Sequence, residues 1–260
     1  FIVWLAIKTG RRSTRLLLHP ICVYFMLLAP ATRRSSEAFL GRVLARKPHL
    51  GEVYRHIHTF AATLLDRVYF MTDQFQLFDI KIEGLAALET AQAGGKGVIL
   101  LGAHVGSFDA MRALAEARSK ADLKVLMHTG AEARVARVID AINPTIADSI
   151  IPLGDSSSML QVYEWLKKGG MVGILADRIV DGDKTHRLDF LGGKADFPEG
   201  AWLLAHLTGA PVVMFSGLYW GDNRYVVRFH TLTSGMRLGK GHRDAAIIPY
   251  IQEYATTLEG

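Results

Sequence analysis

Apolar residues along this chain recur in two rhythms. Over 33–75 they fall at helical spacing, with Phe39, Val43 and Leu44, then Ile57, Phe60, Ala61, Leu64, Leu65 and Val68, as on one face of a helix. Phe70, Met71, Phe75 and Phe78 continue this stretch and read as core or membrane-proximal packing. From residue 79 onward, short apolar runs alternate with amphipathic stretches. Residues 79–84 alternate like a short strand, and 85–93 read as a helix closed by Gly94 and Gly95. Strands are predicted over 97–103, 123–127, 149–153 and 171–176, with helices over 107–119, 131–141 and 156–168 between them. The polar, Gly-containing stretch 177–194 reads as a loop. A helix over 200–208 follows, then a final strand pair over 211–219 and 224–230. This alternation predicts the α/β class, a mostly parallel central sheet flanked by helices.

Length and charge refine the picture. The 260 residues suffice for one large structural domain, in which 1–75 form a basic, apolar helical region and 76–260 the α/β part. Residues 1–60 carry ten Lys or Arg against Glu37 and Glu52, a balance of +8, which leaves −3 for the remaining 200 residues. Between the basic clusters lies an apolar and aromatic segment, 16–30, interrupted by His19 and Pro20. It is short of the roughly 20 apolar residues of a membrane span. Basic flanks around such a segment suit a helix lying in an anionic membrane interface. The apolar bulk of Phe25, Met26, Leu27 and Leu28 argues against nucleic acid as the partner of this arm. The single cysteine, Cys22, excludes an intramolecular disulfide, and no metal-ligand spacing is present.

Candidate chemistry gathers after the most apolar run. Val98 to Leu101 have the bulk of a strand buried on both faces. The chain then continues Gly102-Ala-His104-Val-Gly106-Ser107-Phe-Asp109. In open α/β sheets ligands bind outside the carboxyl ends of the strands, so a histidine there with an acid five residues on is placed for acid–base work. With ten histidines and 25 acidic residues among 260, one such spacing is expected by chance; the setting of strand, glycines and helix start is what raises the signal. The plainer reading keeps His104 satisfied by backbone and Asp109 as a favourable charge at a helix start. Gly94-Gly-Lys-Gly97 precedes a strand and is no P-loop, and the absence of a Gly-x-Ser-x-Gly elbow makes Ser107 a poor nucleophile.

Four blocks occur in order: a basic apolar helix, then strand-Gly-Ala-His-x-Gly-x-x-Asp, then Lys167-Lys-Gly-Gly-Met-Val-Gly-Ile-Leu-Ala-Asp177, then Leu188-Asp-Phe-Leu-Gly-Gly-Lys-Ala-Asp-Phe-Pro-Glu-Gly-Ala201 continued by Leu204-Ala-His-Leu-Thr-Gly-Ala-Pro-Val-Val213. Over nearly its whole length the chain resembles the bacterial lipid A late acyltransferases of the lysophospholipid acyltransferase superfamily. The resemblance implies a glycerol-phosphate-acyltransferase-like fold. It also implies an enzyme at the cytoplasmic face of the inner membrane, moving a fatty acyl group from an acyl carrier protein or coenzyme A thioester to a lipid hydroxyl. No cofactor beyond that thioester is implied. The family's catalytic His and acid fall on His104 and Asp109, and a later Asp-Gln/His block falls on Asp177 and Arg178. The family's Arg-Pro-Asn pattern after the second strand and its Arg near the third are absent: those regions read Met127-His-Thr-Gly and Ile146-Ala-Asp-Ser-Ile-Ile-Pro-Leu-Gly.

A lipid hydroxyl is a poor nucleophile, and a positioned neutral imidazole raises its reactivity by taking its proton. On this reading His104 is the base and Asp109 holds its other ring nitrogen. Backbone N–H groups at Gly106 and Ser107 would face the oxyanion, and Arg178 beside Asp177 would meet a substrate phosphate. Three alternatives remain: a lipid-binding protein without turnover on the same fold, an acyltransferase with an acceptor other than lipid A, and an esterase. Intact His104 and Asp109 argue against the first, and the missing elbow against the last.

Overall fold

The computed structural model describes residues 2–111, 123–128, 149–153, 156–180, 182–239 and 243–260. Packing divides the chain into two compact units, Phe1–Leu77 and Phe78–Gly260.

The first unit is helical: α1 (Ile2–Leu28), α2 (Pro30–Val43) and α3 (Leu50–Met71). Helix α1 breaks at Gly10, whose φ of 78° is open to glycine alone at little strain. One face of α1, with Ala6, Thr14, Leu18 and Cys22, is buried. Arg11 reaches the fully buried Asp66 of α3 through two bonds, Nε to Oδ1 at 2.7 Å and NH2 to Oδ2 at 2.8 Å. Removing one partner of such a pair strands a buried charge, at a cost of about 3–5 kcal/mol. Tyr69 Oη donates to the Ala6 carbonyl at 2.9 Å and fastens the other end of the same contact. The start of α3 is held by Glu52, which accepts from the His49 N–H at 2.8 Å and pairs with Arg46 at 2.6 Å. The opposite face of α1 leaves Trp4, Leu16, Leu17, Tyr24, Leu27 and Leu28 exposed. No single described helix is long and apolar enough to cross a membrane. The pair Ala6–Leu28 and Pro30–Val43, bent by 93°, meets that test by length and composition.

The second unit is α/β. Its elements are β1 (Asp79–Glu83), α4 (Leu85–Ala93), β2 (Val98–Gly102), a 3₁₀ turn (Phe108–Met111), β3 (Leu123–His128), β4 (Ile150–Leu153), α5 (Ser156–Lys167) and β5 (Met171–Leu175). There follow β6 (Thr185–Phe190), β7 (Gly193–Pro198), α6 (Gly200–Thr208), β8 (Val212–Tyr219), β9 (Arg224–Thr233) and α7 (Arg243–Glu259). Seven strands form one sheet in the order β1-β9-β8-β2-β5-β3-β4. Only β8 and β9 pair antiparallel; every other neighbouring pair is parallel. The expected mostly parallel sheet flanked by helices is the observed fold. All of β2 is buried, as its unbroken apolar run requires. The core packs Ile99, Leu101, Val172 and Met214 of the sheet with Trp202 of α6 and Ile247, Ile251 and Tyr254 of α7.

Three expectations need correction or limits. The stretch 177–194 is not all loop: Thr185–Phe190 and Gly193–Pro198 form an antiparallel hairpin that stands apart from the main sheet. Its turn uses Leu191 at φ 48° and Gly192 at φ 67°, the left-handed pair that suits a two-residue hairpin. Helix α7 lies beyond the predicted elements. The helix expected over 107–119 begins as a 3₁₀ turn at Phe108–Met111; its remainder, and the helix expected over 131–141, lie outside the described residues.

Candidate active site

The strand register decides which residues meet at the carboxyl edge of the sheet. Strands β2 and β5 are parallel neighbours, with Gly102 opposite Leu175. His104 and Asp177 each lie two residues further on, so equal steps past equal endpoints bring them together. His104 Nδ1 is 2.8 Å from Asp177 Oδ1, and the His104 backbone N–H donates to Oδ2 at 2.9 Å. One carboxylate thus fixes both the ring and the main chain that carries it.

Burial pushes the Asp177 carboxyl up, but the ring and backbone bonds from His104 outweigh it and leave the group below its ordinary range. Asp177 is therefore ionised and accepts from Nδ1–H, which fixes the tautomer and leaves Nε2 as the proton-accepting nitrogen. The side chains are 30% and 21% exposed, enough for a substrate to reach the ring.

The sequence assigned this orienting contact to Asp109. The structure gives it to Asp177, because Asp109 sits buried in the 3₁₀ turn that follows the histidine loop while β5 delivers a carboxylate directly beside the ring. A second correction concerns the oxyanion donors. Gly106 and Gly217 of β8 touch backbone to backbone: a Cβ at Gly106 would lie 2.0 Å from the Gly217 oxygen. That close approach lets the Ser107 N–H donate to Gly217 O at 2.7 Å, so it is committed to the fold and does not face a substrate. The Ser107 side chain is buried, and its Oγ has no partner among the described residues. Arg178 is exposed next to Asp177 and has no ion pair among the described residues; nearby, Asp183 accepts from the Val180 N–H.

Two features escaped the sequence. Tyr254 of α7, fully buried, donates its hydroxyl to Gly102 O at 2.7 Å, and the same carbonyl accepts the Ala176 N–H at 3.1 Å. One oxygen therefore ties together the ends of β2 and β5, immediately before His104 and Asp177. Burial first, and then the Asp177 charge, push the Tyr254 phenol well up, so it stays a protonated donor. The signal was the helical spacing of Ile247, Ile251, Tyr254 and Ala255. The second feature is His186 of β6, whose Nε2 lies 2.8 Å from Oε2 of the buried Glu199, with Lys184 at 3.6 Å.

A family model, bacterial lipid A biosynthesis acyltransferase, matches residues 49–246. That span holds His104, Asp177, the whole seven-stranded sheet and all of α3. The chain belongs to this family. It is accordingly an acyltransferase of lipid A biosynthesis, with an acyl donor and a lipid acceptor as its substrates. No curated protein matches it. Tyr254 lies beyond the matched residues, so the family likeness and the clamp on Gly102 are separate observations.

Proposed function

We infer that this acyltransferase moves a fatty acyl group from an acyl carrier protein or coenzyme A thioester to a hydroxyl of a lipid A-like acceptor, with His104 as general base. The observation that carries the reading is the His104–Asp177 pair at the carboxyl edge of the sheet. Nε2 takes the proton from the lipid hydroxyl as its oxygen bonds to the thioester carbonyl carbon. The carbonyl oxygen gains the negative charge, and Asp177 stabilises the imidazolium that has formed. Collapse of the tetrahedral species breaks the C–S bond, and the imidazolium returns the proton to the departing sulfur. The products are an ester and a free thiol, and no protein nucleophile is needed.

Arg178, exposed and next in the chain after Asp177, would offer a guanidinium matched to the phosphate of a phosphopantetheine arm or a lipid headgroup. Because such anchoring is mostly uniform binding, Arg178→Ala raises the Michaelis constant for one substrate more than it lowers kcat. The exposed apolar face of α1 and the +8 charge of residues 1–60 support docking of 1–30 on the anionic cytoplasmic face of the inner membrane.

Incubation with an acyl thioester tests the reading. Thiol should be released only when a lipid with a free hydroxyl is present, with an ester-linked lipid found by mass spectrometry. Thiol release independent of lipid would make the protein a thioesterase, and binding of lipid without release would leave the non-catalytic alternative.

A further inference from the structure

In the helical unit, α2 and the segment after it line a shallow, solvent-open cavity of about 540 Å³ whose charged lining is Arg34, Arg42, Arg46, Lys47 and Glu37. Two of these charges are answered within the protein. Glu37 lies 3.5 Å from Arg33, and Arg46 pairs with Glu52 at 2.6 Å. Arg34, Arg42 and Lys47 have no carboxylate partner among the described residues. Arg34, Ala38, Gly41 and Arg42 fall on one face of α2, so the cations converge on the concavity. Arg34, Arg42 and Lys47 are all exposed, so water screens much of their mutual repulsion, and an anion held among them would gain from each.

The rim narrows the choice of anion. Phe39 and Val43 lie about 100° around α2 from Ala38 and Arg42, and with Leu44 they are exposed to solvent. Cationic and apolar faces thus run side by side along the same helix. A free inorganic anion would satisfy only the first; a lipid phosphate satisfies both, its headgroup among the cations and its chains beside Phe39 and Val43.

We propose that this cavity is a discrete binding site for the phosphate headgroup of an anionic membrane phospholipid. The proposal rests on the membrane docking inferred above, and adds that the contact is a site as well as a diffuse charge.

The test uses the full chain and vesicles of phosphatidylcholine with and without phosphatidic acid, sedimented at physiological salt. Three proteins are compared: wild type, Arg34→Gln with Arg42→Gln, and Arg12→Gln with Arg55→Gln. The last pair removes the same charge from outside the cavity. The cavity variant should bind phosphatidic acid vesicles about tenfold or more weakly, the size of a lost charge-assisted bond. The control variant loses part of the diffuse attraction of residues 1–60 and should also bind more weakly, but at least about threefold less so than the cavity variant, which loses the site as well as the charge. If the cavity variant unfolds, Lys47→Gln, outside the helix, takes its place.

Equal losses in both variants would overturn the site and leave general charge attraction intact. No binding of wild type to any vesicle would overturn the membrane reading itself. Inorganic phosphate alone, followed by thermal shift, forms the remaining arm. A phosphate-dependent rise in Tm that the cavity variant lacks, without a matching loss on vesicles, would assign the cavity to a soluble phosphate and overturn the lipid.

Discussion

His104 and Asp177 are 73 residues apart in the chain and joined by two hydrogen bonds, one from the ring at 2.8 Å and one from the backbone at 2.9 Å. Asp177 holds histidine and loop together, so its loss frees the ring tautomer as well as removing a charge. Asp177→Asn should abolish the downfield imidazole N–H proton resonance and lower kcat by roughly 10²-fold or more. Asp109→Asn, altering a buried carboxyl in the adjacent turn, should leave that resonance in place whatever it does to turnover. A spectrum in which Asp109→Asn removes the signal and Asp177→Asn keeps it would return the orienting role to Asp109.

The depressed Asp177 titration has a consequence for stability against pH. The folded value lies below the unfolded one, so the contribution is fully present above an ordinary carboxylate pKa of about 3.9. It is lost as pH falls through the folded value. Between pH ~5 and ~3, wild type should therefore lose more unfolding free energy than Asp177→Asn, measured by denaturant titration. Parallel curves for the two proteins would contradict the shift.

Tyr254 acts through Gly102 and touches no reacting atom; it is a positioning residue. Tyr254→Phe keeps the edge contacts with Phe197 and Trp202 and removes only the hydroxyl that clamps the strand ends. Roughly a tenfold fall in kcat with unchanged KM is expected, and combination with Asp177→Asn should be non-additive. A merely structural hydroxyl would lower Tm and leave the kinetics of the folded protein unaltered.

Legibility in the sequence followed locality. The α/β class could be read because Val98–Leu101 is apolar on both faces and because apolar runs alternate with helical stretches. The hairpin over 185–198 was hidden because only Leu188 and Phe197 of its strands are buried, which leaves too little apolar alternation. Helix α7 was obscured by Pro249 inside it, although Ile247, Ile251, Tyr254 and Ala255 keep helical spacing. His104 could be placed by the strand before it. Its partner could not, because Asp177 becomes its neighbour only through the adjacency and register of β2 and β5. Local spacing favoured Asp109; sheet order selected Asp177. The Ser107 N–H was misassigned for the same reason, since its acceptor, Gly217, is 110 positions away on β8.

The central claim, that His104 takes the proton from a lipid hydroxyl as the acyl group is transferred, is tested most directly by one comparison. Wild type and His104→Gln are given the same acyl thioester and lipid acceptor, and the acylated lipid is quantified by mass spectrometry with fold checked by circular dichroism. The account predicts a loss of about 10²–10⁴-fold in product formation by a folded variant. Undiminished acyl transfer by His104→Gln would contradict it.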